Sequence, residues 1–175
     1  CWAGTSNPVT GAVICAPCIA GTYSSEGVSS CIKCSIGKCS AEIAAASVDT
    51  CKLCGNGTYN AEEGATHCRK CDPGTFNAKL GSDSKDFCLA CDVGKYQKVE
   101  GASSCDDCPA GKYSGQLKAA TAEVCVSCDR GTFTSKVGAY SQGQCEVCPE
   151  KMQILVPNNS ISTCLWNFEL GFGET

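Results

Sequence analysis

Nineteen of the 175 residues are cysteine, and their spacing permits three chemistries. Sixteen of them form eight C-x-x-C pairs: Cys15/Cys18, Cys31/Cys34, Cys51/Cys54, Cys68/Cys71, Cys88/Cys91, Cys105/Cys108, Cys125/Cys128 and Cys145/Cys148. Paired thiolates can hold zinc, and some of the spacings satisfy C-x2-C-x15–20-C-x2-C. Zinc ribbons, however, would leave Cys1 and Cys164 without roles. A thioredoxin-like dithiol would need a strand–helix–strand setting that the sequence does not show, and eight tandem copies argue against a catalytic pair. Disulfides are the remaining chemistry and are the one expected here. Cysteine makes up about 11% of the chain, above the range that marks a disulfide scaffold.

Other side chains offer little to build a reaction on. His67 is the only histidine, and no serine triad or metal cluster can be assembled around it. Asp106-Asp107 and Glu62-Glu63 read as solvated loop charges, and no EF-hand loop occurs. No catalytic residue, metal or cofactor is expected, and the chain is expected not to be an enzyme.

The elements that must position the cysteines are written as a repeat. After most pairs comes x-x-Gly-[Thr/Lys]-aromatic, at Gly21-Thr22-Tyr23, Gly57-Thr58-Tyr59, Gly74-Thr75-Phe76, Gly94-Lys95-Tyr96, Gly111-Lys112-Tyr113 and Gly131-Thr132-Phe133. A second glycine follows, often after Glu, as in Glu26-Gly27, Glu63-Gly64 and Glu100-Gly101. The first glycine allows a backbone conformation or an approach that a side chain would block. The next two residues start a short strand, and the ring is expected to cover the adjacent disulfide as a miniature core. The second glycine turns the chain back to the next pair. Six of the ten Tyr and Phe residues sit at this one position, a structural use of aromatics.

Leu, Ile, Val and Phe together make only 30 of 175 residues, too few for one globular core to offset the entropy of ordering the chain. Small modules stapled covalently solve that problem. The expected fold is small and disulfide-rich: an elongated, solenoid-like rod of tandem cysteine-rich modules with short β-hairpins and little helix. The net charge of −4 is scattered, with no basic stripe for nucleic acid. The longest strongly apolar run, Ile154-Leu155-Val156, is far short of a membrane span. The chain opens on Cys1 and reads as a processed product or a piece of something longer.

Spacing alone does not fix connectivity. One arrangement uses eighteen cysteines: the second cysteine of each pair closes on the first of the next. It joins Cys1–Cys15, Cys18–Cys31, Cys34–Cys51, Cys54–Cys68, Cys71–Cys88, Cys91–Cys105, Cys108–Cys125, Cys128–Cys145 and Cys148–Cys164. Cys39 is left over, in the aromatic position of Gly37-Lys38-Cys39. It is expected to be a buried free thiol, a bond to another chain, or part of a reshuffled local pairing. Two stretches, Ser40–Ala46 and Gln116–Val124, have helix-forming bias, and Met152–Val156 reads as a strand. The chain divides into tandem repeats over 1–148 (about eight modules), an atypical closing module over 149–164, and a tail over 165–175.

The pattern C-x-x-C-x-x-G-[TK]-[YF]…G…C resembles the cysteine-rich repeat shared by ephrin receptors, GCC-type repeat proteins and the first half of tumour necrosis factor receptor modules. Similar repeats occur in surface coats and flagellar-hair (mastigoneme) proteins of algae and protists. The resemblance covers about residues 1–148, with the Cys39 repeat aberrant. It implies similar loop pairing, modules stacked into elongated ectodomains, an extracellular or cell-surface location and no catalytic residues. It implies little about function, because the repeat is a reused scaffold.

Two N-glycosylation sequons occur, at Asn56 and Asn158. In the tail, Trp166, Phe168, Leu170 and Phe172 alternate, giving a strand with one apolar face. It either folds back on the last repeat or adds to an edge of a neighbouring molecule. The expected function is a structural subunit of an extracellular filament or coat, self-associating through tail and repeat contacts. Glycans are expected partners, with no nucleic acid and no membrane span in this chain. The alternative is the ligand-binding ectodomain or stalk of a receptor.

Overall fold

The computed structural model describes residues 1–9, 11 and 14–149. The chain divides into two compact units: Cys1–Leu89 with Val99–Ser104, and Ala90–Lys98 with Cys105–Thr175. Among the described residues there is no α-helix. Sixteen two-residue strands pair into eight two-stranded sheets. The register is constant. The residue at the aromatic position faces the first residue inside the following C-x-x-C, as in Tyr23↔Ile32, Tyr59↔Arg69 and Phe133↔Glu146. Cys39 takes this place too, opposite Lys52.

Eight disulfides close the hairpins: Cys1–Cys15, Cys18–Cys31, Cys34–Cys51, Cys54–Cys68, Cys71–Cys88, Cys91–Cys105, Cys108–Cys125 and Cys128–Cys145. Cys148 is also disulfide-bonded, and its expected partner Cys164 lies outside the described residues. The loops fall into two sizes for a local reason. Four have a separation of 17 residues, and each of these carries a 3₁₀ turn just before its closing cysteine, at Val48–Thr50, Lys85–Phe87, Ala122–Val124 and Gln142–Gln144. Among the described residues the loops of 13 or 14 carry none. One 3₁₀ turn is three residues, which is the difference between the classes. Ser47 and Ser84 start two of these turns by accepting hydrogen bonds from Asp49 N–H and Asp86 N–H.

The helical bias expected at Ser40–Ala46 is not realised. Ala44 turns left-handed instead, at φ 57°, and the only helical turn of that loop comes later, at Val48–Thr50. Over Gln116–Val124 just the last three residues are helical, because Lys118 is also left-handed, at φ 54°. Ala44 and Lys118 occupy the place that Gly64 and Gly101 hold in other modules. The repeat geometry therefore overrides local propensity.

Backbone hydrogen bonds join successive modules within each unit. The first-glycine N–H donates to the carbonyl of the residue after the next module's aromatic position: Gly21 to Ser40 (2.7 Å), Gly37 to Asn60 (2.8 Å), Gly94 to Ser114 (2.7 Å). The turn residue donates to a cysteine carbonyl: Gly64 to Cys34, Gly81 to Cys54, Gly138 to Cys108, each 2.8 Å. At Gly21, φ is +82°, and an added methyl would overlap the Gly64 carbonyl oxygen. The glycine thus serves both the turn and the close stacking of alternate modules.

The interior is made of sulfur and hydrogen-bonded polar groups. Ten cysteines, three alanines and Tyr59 are the buried apolar residues among those described. The rings do not form the deepest part of the core as expected. Tyr59 is buried, but Tyr23, Phe76, Tyr96, Tyr113 and Phe133 are only half-buried. The deeply buried position is the one after the ring, held by Ser24, Ser40, Asn60, Asn77, Gln97, Ser114 and Thr134.

Candidate functional site

Buried polar groups need partners, and Asn60 and Asn77 find most of theirs in the backbone. Asn60, 2% exposed, donates from Nδ2 to the carbonyls of Lys38 and Glu62 (both 2.7 Å) and accepts the Glu62 N–H at 3.1 Å. Asn77 does the same with Thr58 O, Ser82 Oγ and Lys79 N–H. Each amide ties its own turn to a neighbouring strand. Asn60→Ala is expected to leave the part-buried carbonyls of Lys38 and Glu62 without this donor and to cost about 1–2 kcal/mol. A lowered urea midpoint with the disulfide map unchanged would show it; an unchanged midpoint would mean that water replaces the amide.

The only free cysteine among the described residues is Cys39. Half-buried in the Lys38–Cys39 strand, its Sγ lies 3.0 Å from Cys68 Sγ. Cys68 is bonded to Cys54, so three sulfur atoms lie within 4.8 Å of one another. Burial pushes the Cys39 thiol above its usual pKa, against the opposing effect of a hydrogen bond from the Cys68 backbone. As it stands the cluster offers one thiol and one disulfide. A soft metal ion needs thiolate ligands, which all three sulfurs could supply only if the Cys54–Cys68 bond were reduced.

Among the described residues no large aliphatic side chain is buried. Ile43, Leu53 and Leu80 are 66%, 57% and 61% exposed in the first unit, and Leu117 and Val137 are similarly exposed in the second. The residue before the left-handed turn position alternates along the first unit: Glu26, Ile43, Glu63, Leu80, Glu100. Each turn meets a hairpin of a preceding module. Glu100 pairs with Lys70 at 2.8 Å, the Lys33 stem lies near Gly64, and Leu53 lies near Gly81 beside Leu80. Charged turns thus meet lysines and an apolar turn meets leucine. The ion pairs are exposed and contribute little to stability, whereas the aliphatic residues leave apolar surface open to a partner.

Asn56 is exposed in the turn before Gly57, and Thr58 Oγ1 of its sequon donates to Gly55 O at 2.7 Å. His67 is exposed beside Cys68, and its Nδ1 lies 3.0 Å from Thr66 Oγ1. Asp106 and Asp107 form one strand of a hairpin, and Asp107 pairs with Lys95. Glu62 pairs with Arg69 at 2.6 Å. Asn158, Cys164, Trp166, Phe168, Leu170, Phe172 and the Met152–Val156 segment lie outside the described residues. Sequence reasoning missed the buried polar position, although its residue type recurs in every module. It also missed the Cys39–Cys68 contact, which depends on how modules stack.

Short hairpins, one disulfide each, stacked in a common register make this a tandem cysteine-rich repeat domain. A family model described as "Tyrosine-protein kinase ephrin type A/B receptor-like" matches residues 42–88 and 85–125. Over those residues the chain carries cysteine-rich repeats that resemble the ephrin-receptor-like repeats. No curated protein matches the chain. The repeats and the many disulfides point to an extracellular or secreted, receptor-like or structural domain. Among the described residues no helix is long and apolar enough to cross a membrane.

Proposed function

We propose that the chain is a non-enzymatic structural subunit of an extracellular filament or coat, assembled through repeat surfaces and the alternating apolar tail. The observation that supports this is the placement of the aliphatic side chains. Among the described residues no large aliphatic side chain is buried, yet Ile43, Leu53 and Leu80 stand exposed on alternate modules of the first unit. Apolar surface not used for folding is available for association. An N-linked sugar on the exposed Asn56 turn would be compatible with this role, and treatment with an N-glycosidase should then lower the mass of the secreted chain.

The second reading is a receptor stalk or ectodomain, favoured by the receptor-like family model. Negative-stain electron microscopy of the natively purified chain separates the two. Regular fibrils are expected, and they should be lost when residues 165–175 are deleted. A deletion variant that assembles equally well would sink the role of the tail. Isolated molecules from both chains would sink assembly and favour the receptor reading.

A further inference from the structure

We propose that Cys39, Cys54 and Cys68 form a disulfide relay, in which the Cys39 thiol exchanges into the Cys54–Cys68 bond and hands the free thiol to Cys54. The Sγ atoms of Cys39 and Cys68 are 3.0 Å apart, and two further observations make that contact a property of the repeat. Ser6 holds the aromatic position of the first module, and its Oγ lies 3.2 Å from Cys31 Sγ. Cys31, like Cys68, is the closing cysteine of the next loop. Both Ser6 and Cys39 are the second residue of their strand and face the first residue inside their C-x-x-C pair. The architecture therefore aims this side chain at the next module's sulfur. In this one module the side chain is itself a nucleophile.

The step is balanced without an outside oxidant or reductant. Cys39 loses its proton and its thiolate lone pair attacks Cys68 Sγ. The Cys54–Cys68 bond breaks, and Cys54 leaves as a thiolate that takes up a proton. One S–S bond is lost and one is formed. A bond within one loop, of separation 14, becomes a bond between two loops, of separation 29. The free thiol moves from a half-buried site to one that is 0% exposed. The two isomers thus differ in whether that thiol can be reached by another molecule, so the relay gates any covalent link through Cys39.

The oxidised chain is incubated at pH 9, quenched in acid, denatured and alkylated before non-reducing peptide mapping. The tag should divide between Cys39 and Cys54, with a linked Cys39–Cys68 peptide pair present. A tag confined to Cys39 overturns the relay. A tag spread over the cysteines of other loops also overturns it, since that is general scrambling. A second measurement uses Cys54→Ser, in which Cys39 and Cys68 should be found linked, with neither alkylated. Recovery of both as free thiols would overturn the proposal independently.

Discussion

Under excess dithiothreitol and without denaturant, the chain should lose its fold altogether. Each disulfide closes a loop of 13 to 17 residues, worth about 3 kcal/mol in the chain-entropy model. A folded domain usually has a net stability of only about 5–15 kcal/mol. Losing a few of the eight described bonds therefore exceeds the margin, even though their contributions do not add strictly. Among the described residues no Leu, Ile, Val or Phe is buried, so these residues hold no hydrophobic core for a reduced chain to fall back on. Amide hydrogen exchange gives the readout. The Gly21, Gly37 and Gly57 N–H groups, which donate at 2.7, 2.8 and 2.6 Å, should be protected in the oxidised chain and exchange freely in the reduced one. Protection that survives reduction would mean that the backbone ladder alone holds the fold.

The second large effect is expected from one methyl group. Gly57 has φ +78°, and a Cβ there would overlap the Gly101 carbonyl oxygen and lie 3.0 Å from Ala102 N. Gly27 has a similar φ of +80° but nothing within 4 Å of the same position. Gly27→Ala should therefore cost only the left-handed backbone term, about 1–2 kcal/mol. Gly57→Ala should add the cost of forcing two backbones apart, a further ~1–3 kcal/mol. Urea unfolding of the pair reads the difference, with Gly57→Ala clearly the less stable. Equal midpoints would show that the stacked modules separate without penalty and that glycine is there for the turn alone.

The sequence carries much of this fold because disulfide modules are local. Gly21-Thr22-Tyr23 marks a strand start, and the following Cys31/Cys34 pair marks its return, so each hairpin can be read within some twenty residues. What could not be read depends on contacts between modules. Ser24, Asn60 and Asn77 follow an aromatic in a loop-like sequence, and polar residues in such places usually face water. They are buried between stacked modules, where strand carbonyls of the preceding module, those of Thr5, Lys38 and Thr58, accept their side-chain hydrogen bonds. The ring was given too large a part for the converse reason. A large apolar side chain ordinarily marks the interior, but here the close approach of glycine backbones leaves room mainly for small groups. The sulfur cluster at Cys39 was hidden in the same way, since Cys39 and Cys68 are 29 residues apart.

An interior of sulfur and backbone also has an evolutionary consequence. Folding constrains the cysteines, the stacking glycines and one small polar residue per module, and it constrains the rest of the chain weakly. Ile19, Leu53, Leu80 and Leu89 are all exposed, so their replacement should leave the fold intact. Lineages sharing this architecture can therefore drift apart in most positions while remaining superimposable, and can acquire new surface specificities without first gaining stability.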